Sequence, residues 1–430
     1  MVLKKLFHWG FLCLFLVPFT CYDSNISKRS HLIYWSSNNP DEIEFAQWVV
    51  NKWNSRYPEK QVRFQPVPEG RSSEEVILAA VVGKTTPDVY SNMWQGDVEY
   101  YAQSGVLVPL DTLQGYMTFL NQRCDSAVIA EVTSNDGHIY QLPWKINPIM
   151  LIYNEKFFEE IGYYQPPATY SEYLDAAKKF QADTDGDGYI DRWIGHRDVI
   201  VTWWQRFFDF YPLYLAASGG SKLIDNGRVV FNNKYAIQAL KFLRLLYQKN
   251  YFSKEMLEAR QDVFLAGVIA TRFVGPWEIV HAEKFKTAGF RYHFTRLPVP
   301  DDHQGEAFTY GDPKNIVIFN TCKDPQRAWE FIKFMASKEM DLEFLKMATQ
   351  LPRRKDLLQD EDFKSYFVAH PKMMPFAKQA KYVRGTDACA QLKEIFDIIS
   401  QEYEACVIFD VKTPEQAMED AARTAQVILQ

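Results

Sequence analysis

The sequence predicts an α/β protein of two lobes, each a mostly parallel sheet flanked by helices. Three observations carry this. At 430 residues the chain is too long for one hydrophobic core and fits two units of ordinary domain size. Short apolar runs alternate with stretches of helical spacing, the pattern of a parallel sheet covered on both faces. No obvious linker separates the halves, which suits lobes joined by several short crossings.

Leu32-Ile33-Tyr34-Trp35 reads as a buried strand running into the polar loop Ser36 to Asn39. Phe45, Trp48, Val49 and Trp53 have helical spacing and predict a helix over 44–56. Val62 to Val67 alternates as a second strand, and 74–82 reads as a helix ended by Gly83. Asp88-Val89-Tyr90 is a third strand, followed by a loop from Asn92 to Asp97. In such sheets the loops beyond the carboxyl ends of the strands form the binding crevice. Ser36 to Asn38 and Trp94 to Asp97 are loops of that kind.

Ile149 to Asn154 is another buried strand. Thr169 caps a helix from Tyr170 to Phe180, with Glu172 completing a capping box. The aromatic stretch 203–215 and the amphipathic stretch 235–248 are helices. Ala266 to Phe273 reads as a strand broken by Gly275-Pro276-Trp277. Asp324 before Pro325, and Thr413 before Pro414, are helix starts with proline at the first position.

Composition narrows the function. The chain is 47% hydrophobic and 24% charged, so it is neither disordered nor fibrous. A formal net charge of −6 excludes a typical nucleic-acid binder, which needs a basic surface. With 11 Trp, 24 Tyr and 31 Phe, most rings must be core, and only a few can line a site. No Gly-x-Ser-x-Gly, His-Glu-x-x-His or phosphate loop occurs, so no enzyme class is indicated. A glycosidase using paired carboxylates and a surface adhesin are the competing classes.

Residues 1–21 read as a secretory leader. Lys4 and Lys5 precede an apolar run, Leu6 to Phe19, too short to span a bilayer. Cys21 stands where a lipoprotein cysteine would, ahead of a polar tether. Pro18-Phe19-Thr20 departs from the usual lipobox, so ordinary cleavage nearby is the alternative. The expected location is exported, periplasmic or cell-surface, with a lipid anchor through Cys21. Cys124, Cys322, Cys389 and Cys406 show no zinc spacing; Cys389 and Cys406 are candidates for a disulfide or for buried free thiols.

A set of segments, in order along almost the whole mature chain, resembles the extracellular solute-binding proteins of family 1, the maltose-binding-protein-like components of ABC importers. They are Thr86 to Tyr90, Tyr101 to Leu107, Gln141-Leu142-Pro143 with Leu151 to Phe158, Pro166 to Tyr170, Gly275-Pro276-Trp277, Leu297 to Pro300, and Ala328 to Ile332. The resemblance implies the type II periplasmic-binding-protein fold, with two α/β lobes and three crossings. On that pattern the first lobe takes 31–145 and 299–347, and the second takes 146–298 and 348–430. It implies a binding protein, not an enzyme: a monomer that closes on a small-molecule ligand, a sugar or a glycerol-phosphate compound, and then docks on ABC permease subunits.

Trp277 is the leading site residue, because the resemblance places a cleft tryptophan there and an indole face packs on the apolar face of a sugar. A core tryptophan beside a turn is the alternative. Trp94 and Asp97 fall where the family has aromatic and acidic contacts. Ser36, Ser37 and Asn38 offer hydrogen bonds, or are ordinary turn residues. Trp144 and Asn147 mark the first crossing. Gly219 and Gly220 would let backbone amides approach a ligand, and Tyr310 precedes a strand back in the first lobe. Arg384 carries the glycerol-phosphate or glycerophosphodiester alternative, since a guanidinium fork matches phosphate oxygens; a solvated surface arginine is the bland reading. Asp183, Asp185, Asp187, the Tyr189 backbone and Asp191 have EF-hand spacing for a structural calcium, but position 12 is Ile194, not Glu. A solvated acidic loop is the alternative, and no cofactor is required for binding.

Overall fold

The computed structural model describes residues 31–70, 72–197, 203–257 and 262–430. The leader and Cys21 lie outside the described residues. In the first lobe the chain runs through β1 (Leu32–Ser36), α1 (Pro40–Arg56), β2 (Val62–Pro66), α2 (Ser73–Val82), β3 (Val89–Trp94), α3 (Gln95–Gln103), α4 (Tyr116–Arg123), α5 (Ser126–Val132) and β4 (Leu142–Ile146). It crosses to β5 (Met150–Asn154), then α6 (Tyr170–Phe180), α7 (Trp203–Ser218), β6 (Thr271–Val274), α8 (Trp277–Phe285) and β7 (Tyr292–Thr295). The return passes through β8 (Thr309–Tyr310) to β9 (Lys314–Ile318), α9 (Lys338–Ala348) and β10 (Leu351–Pro352). A last passage leads to β11 (Val383–Arg384) and α10 (Leu392–Tyr403).

The first sheet has the order β10-β4-β9-β3-β1-β2. β1 pairs in parallel with β2 and β3, while β9 runs antiparallel between β3 and β4. Alternate residues feed opposite faces. Tyr34, Val89, Ile316 and Ile318 join one core, and Trp35, Tyr90, Val317 and Phe319 join the other. The second sheet, β6-β5-β7, is antiparallel, so the mostly parallel sheet expected of each lobe is not found there; a short parallel ladder, Gly195–His196 with Phe252–Ser253, lies outside that sheet. The sheet's faces are also separate: Leu151 and Phe273 meet the α6, α7 and α10 core, while Ile152, Val274 and Phe294 meet a second cluster.

Several boundaries differ from the sequence reading for local reasons. α1 starts earlier, at Pro40, because the Asn39 side chain accepts from the N–H groups of Asp41 and Glu42. β3 runs through residues read as a loop, because its later residues still pair with β9, and α3 follows at once. The strand expected from Ala266 begins only at Thr271. Before it, Asp262 caps a turn at Phe264 and Leu265, and Gly267 takes a positive φ of 79°. The capping box at Thr169 with Glu172 and the start at Asp324 are present as expected. Cys389 and Cys406 are buried free thiols, each pushed up to about 11 by burial.

One buried ion pair ties the first lobe together. Arg123, at the end of α4, donates to the carbonyls of Pro143 (3.0 Å), Trp144 (3.0 Å) and Ala336 (2.8 Å) and grips Asp341 of α9 with both terminal nitrogens. Burial pushes the Asp341 carboxyl up, against the pull of Arg123 and Arg354. Removing Arg123 leaves Asp341 with Arg354 alone, at 3.0 Å, and takes the donor away from three buried carbonyls. Arg123→Met is therefore expected to lower stability by about 3–5 kcal/mol, and Arg123→Met with Asp341→Leu by less. Urea denaturation of the single and double variants measures this.

Candidate ligand-binding cleft

The crossings fix where a site can form. β1 and β3 end, and β9 begins, on one edge of the first sheet, where Lys314 of β9 pairs with Trp94 on one side and Lys145 on the other. On the second sheet, the end of β6 pairs with the start of β5, Val274 opposite Met150. Gly275, Pro276 and Trp277 follow that end directly, so Trp277 stands at the edge where the chain crosses between lobes. About a third of its surface (37%) is open to solvent.

Charged side chains crowd the first-lobe edge, and each has an opposite. Lys314 lies 3.4 Å from Glu74 and 3.9 Å from Asp312. Burial opposes its charge, but Asp312 and Glu74 outweigh burial and hold its pKa above the ordinary lysine value. Behind it Lys145 is ion-paired with Glu42, which also accepts from Ser37 (2.8 Å) and Gln350 (2.6 Å). Asn147 extends this network through Gln350 at 3.1 Å.

A seam joins the lobes beside this edge. The Trp94 indole donates to the Tyr310 hydroxyl at 2.8 Å, and Phe207 of α7 meets both rings edge-on. Asp97 of α3 pairs with Lys393 of α10 at 2.7 Å. Glu131 of α5 receives Arg353 at 2.9 Å and Arg384 at 3.3 Å. Arg384 also donates to the Gly220 carbonyl (3.0 Å) and reaches Asp387 (3.3 Å), whose other oxygen accepts from Leu223 and Ile224. Gln95 donates to the Thr386 carbonyl, and Asn135 to that of Ala388.

The family profile of bacterial extracellular solute-binding proteins matches residues 33–374. The chain belongs to this family. The maltotriose-binding protein of Pyrococcus abyssi is 23% identical over 341 residues, 78% of this chain and 69% of that protein. The sn-glycerol-3-phosphate-binding periplasmic protein UgpB of Agrobacterium fabrum is 22% identical over 411 residues, 89% of this chain and 88% of that protein. In structure, the sugar-binding protein MalE of Xanthomonas citri superposes with a TM-score of 0.76 at 18% identity, covering 93% of this chain and 97% of that one. The fold is thus that of the type II periplasmic binding proteins, two lobes with three crossings.

Within this solute-binding fold the expected site residues divide. Trp277 is at the crossing edge and open to solvent. Trp94, Asp97, Tyr310 and Arg384 come together, but in the seam, with their polar groups engaged by the protein itself. Ser36 and Ser37 are buried, donating to the Ser37 carbonyl and to Glu42, and Asn38 is exposed. Trp144 is enclosed in the first-lobe core, stacked on Phe344 at 4.5 Å. Gly219 and Gly220 adopt positive φ, and Phe308 packs where a Cβ of Gly220 would stand.

Asp183, Asp185 and Asp187 bring carboxylate oxygens within 4.8 Å of one another, while Asp191 accepts from Thr184 and Tyr189 is exposed. Glu74, Asp312, Lys314, Glu131 and Arg353 escaped the sequence reading. Only Asp312 and Lys314, next to the singled-out Tyr310, carried a signal of position.

Asp97–Lys393 and Glu131–Arg384 join the lobes, whereas Arg353, which follows β10 and donates its N–H to the Trp144 carbonyl, meets Glu131 inside the first lobe. Glu131→Gln leaves Arg353 and Arg384 short of a counter-charge, so the ligand-free variant is expected to open. Small-angle scattering tests this: its radius of gyration should exceed that of the unsubstituted protein.

Proposed function

We propose that this protein captures an uncharged carbohydrate outside the cytoplasm and delivers it to the membrane subunits of an ABC importer. The observation that carries the reading is the charge balance of the cleft. Lys314, Lys145, Lys393, Arg353 and Arg384 each face a carboxylate. A polar ligand without charge can enter such a site without separating those pairs, whereas a stranded charge is costly. The names of the Pyrococcus abyssi and Xanthomonas citri relatives support a sugar.

The mechanism makes and breaks no bond. Open lobes admit the ligand, contacts from both lobes stabilise closure, and the closed form is what the permease meets. Trp277 supplies a flat apolar face for a ring, and the polar first-lobe edge supplies hydrogen bonds to hydroxyls. The reading needs no cofactor. The Agrobacterium fabrum relative names the phosphate alternative. Against it, the Arg384 guanidinium already faces Glu131 and Asp387, each at 3.3 Å, and donates to the Gly220 carbonyl, so a phosphate would have to displace carboxylates that balance its charge.

Mass spectrometry of the ligand released from purified protein tests the class: a neutral saccharide is expected, and a glycerol-phosphate compound would overturn the reading. Trp277→Ala should weaken saccharide binding by about 1–3 kcal/mol by calorimetric titration. Unchanged affinity would remove Trp277 from the site. We also propose Cys21 as the lipid anchor; Cys21→Ser should move the protein from the membrane fraction to the soluble fraction.

A further inference from the structure

A cavity of about 560 Å3 lies in the second lobe, and neither Trp277 nor any residue of the seam lines it. Its volume is in the range of small-molecule sites. It forms at the outer strand of the second sheet. β7 pairs only with β5, so its other edge is free. No fourth strand covers that edge; the helices Glu361–Ala369 and Met374–Gln379 lie over it, and the cavity is the space between them and residues His293 to Arg296. Pro371 and Pro375 border it, and their fixed φ makes that wall rigid.

Floor and rim differ in chemistry. Met150, Phe294 and Phe367 belong to a core cluster of this lobe and give the cavity an apolar floor. Met374 and Val368 continue it to the mouth, where Val368 is 69% exposed. Arg296 and Lys378 are exposed on the rim. Neither has an ion-pair partner among the described residues, whereas Lys314, Lys145, Lys393, Arg353 and Arg384 of the cleft and seam each face a carboxylate. Glu306 is the one carboxylate among the described residues lining the cavity, so two cations against one anion leave the rim positive. Such a site suits a ligand with an apolar body and an anionic head. The body takes the floor out of water, and the head meets the guanidinium and the ammonium. A bare anion would leave the floor wet, and a neutral chain would leave the cations unmatched.

We infer that this cavity is a second binding site, separate from the cleft, for an amphipathic monoanion: an aliphatic carboxylate of medium chain length. The methionines at its floor and mouth are unbranched and adapt to a flexible chain. Arg296 and Lys378 set the sign of the head group. The site does not depend on what the cleft binds.

Calorimetric titration of the full chain with octanoate tests this, with acetate, octanamide and octylamine as controls for chain, charge and sign. A single octanoate should bind per protein. Octanamide should bind roughly tenfold more weakly, and acetate and octylamine should not saturate. The double variant Arg296→Gln with Lys378→Gln should lose roughly five- to tenfold for octanoate. Both side chains are exposed, so an unchanged thermal midpoint shows that the variant is folded. Trp277→Ala should bind octanoate as the unsubstituted protein does. The site is overturned if octanoate does not saturate, if several molecules bind per chain, or if octanamide binds equally well. Unchanged affinity in the double variant overturns it too, and a loss in Trp277→Ala would do so by placing octanoate in the cleft.

Discussion

The chain passes between its lobes at one edge of each sheet, and that constraint places everything functional. Because β4 and β5, and then β8 and β9, are joined by only a few residues, the strand ends of both lobes converge where the backbone crosses. Ile149 and Thr309, from two different crossings, are hydrogen-bonded to each other, and the Tyr310 carbonyl accepts from the Ile149 N–H. A ligand that binds at strand ends in one lobe therefore also meets the strand ends of the other. The proposed hinge closure suits the same geometry, since short crossings would let the lobes rotate while holding them together.

Convergence has an electrostatic consequence. Strand ends and helix starts concentrate polar side chains, and closing two such edges on each other takes their charges out of water. The structure meets this with compensation: Lys145 with Glu42, Lys314 with Glu74 and Asp312, Asp97 with Lys393, and Glu131 with two arginines. The pairs made across the seam favour closure. Those made within the first lobe keep its edge polar without net charge, the condition for hydrogen-bonding hydroxyls while rejecting ions.

Much of the fold was legible because it depends on local signals. The Thr169 capping box, the Thr413-Pro414 helix start, the apolar runs at Leu32 and Ile149, and the Gly275-Pro276-Trp277 break each act within a few residues. What escaped depends on distance. The antiparallel order of the second sheet follows from the partners β5 meets after long excursions, which no local period records. Trp277 was legible as an aromatic at the crossing edge, through its break and its motif. Glu131 was not legible: it is separated by 222 residues from Arg353 and looks like any helical glutamate until the chain is folded. Trp94, Asp97 and Tyr310 were each visible in the sequence, but the pairing of Trp94 with Tyr310 and of Asp97 with Lys393 was not, so position could be read and use could not.

This division separates the two lobes by chemistry. The first lobe brings charges already balanced and an aromatic, Trp94, already engaged by the seam. Its contribution to a ligand is polar and fixed in place. The second lobe brings Trp277 at the start of a helix that the strand before it anchors and that Ala282, buried in the core, and Glu283, bonded to Tyr292, hold farther along. On the proposed reading, a polar lobe that orients hydroxyls and an aromatic lobe that packs ring faces would recognise opposite aspects of the same sugar. Neither alone can tell a saccharide from another polar solute, so selectivity requires closure, and closure is what the seam of buried pairs favours.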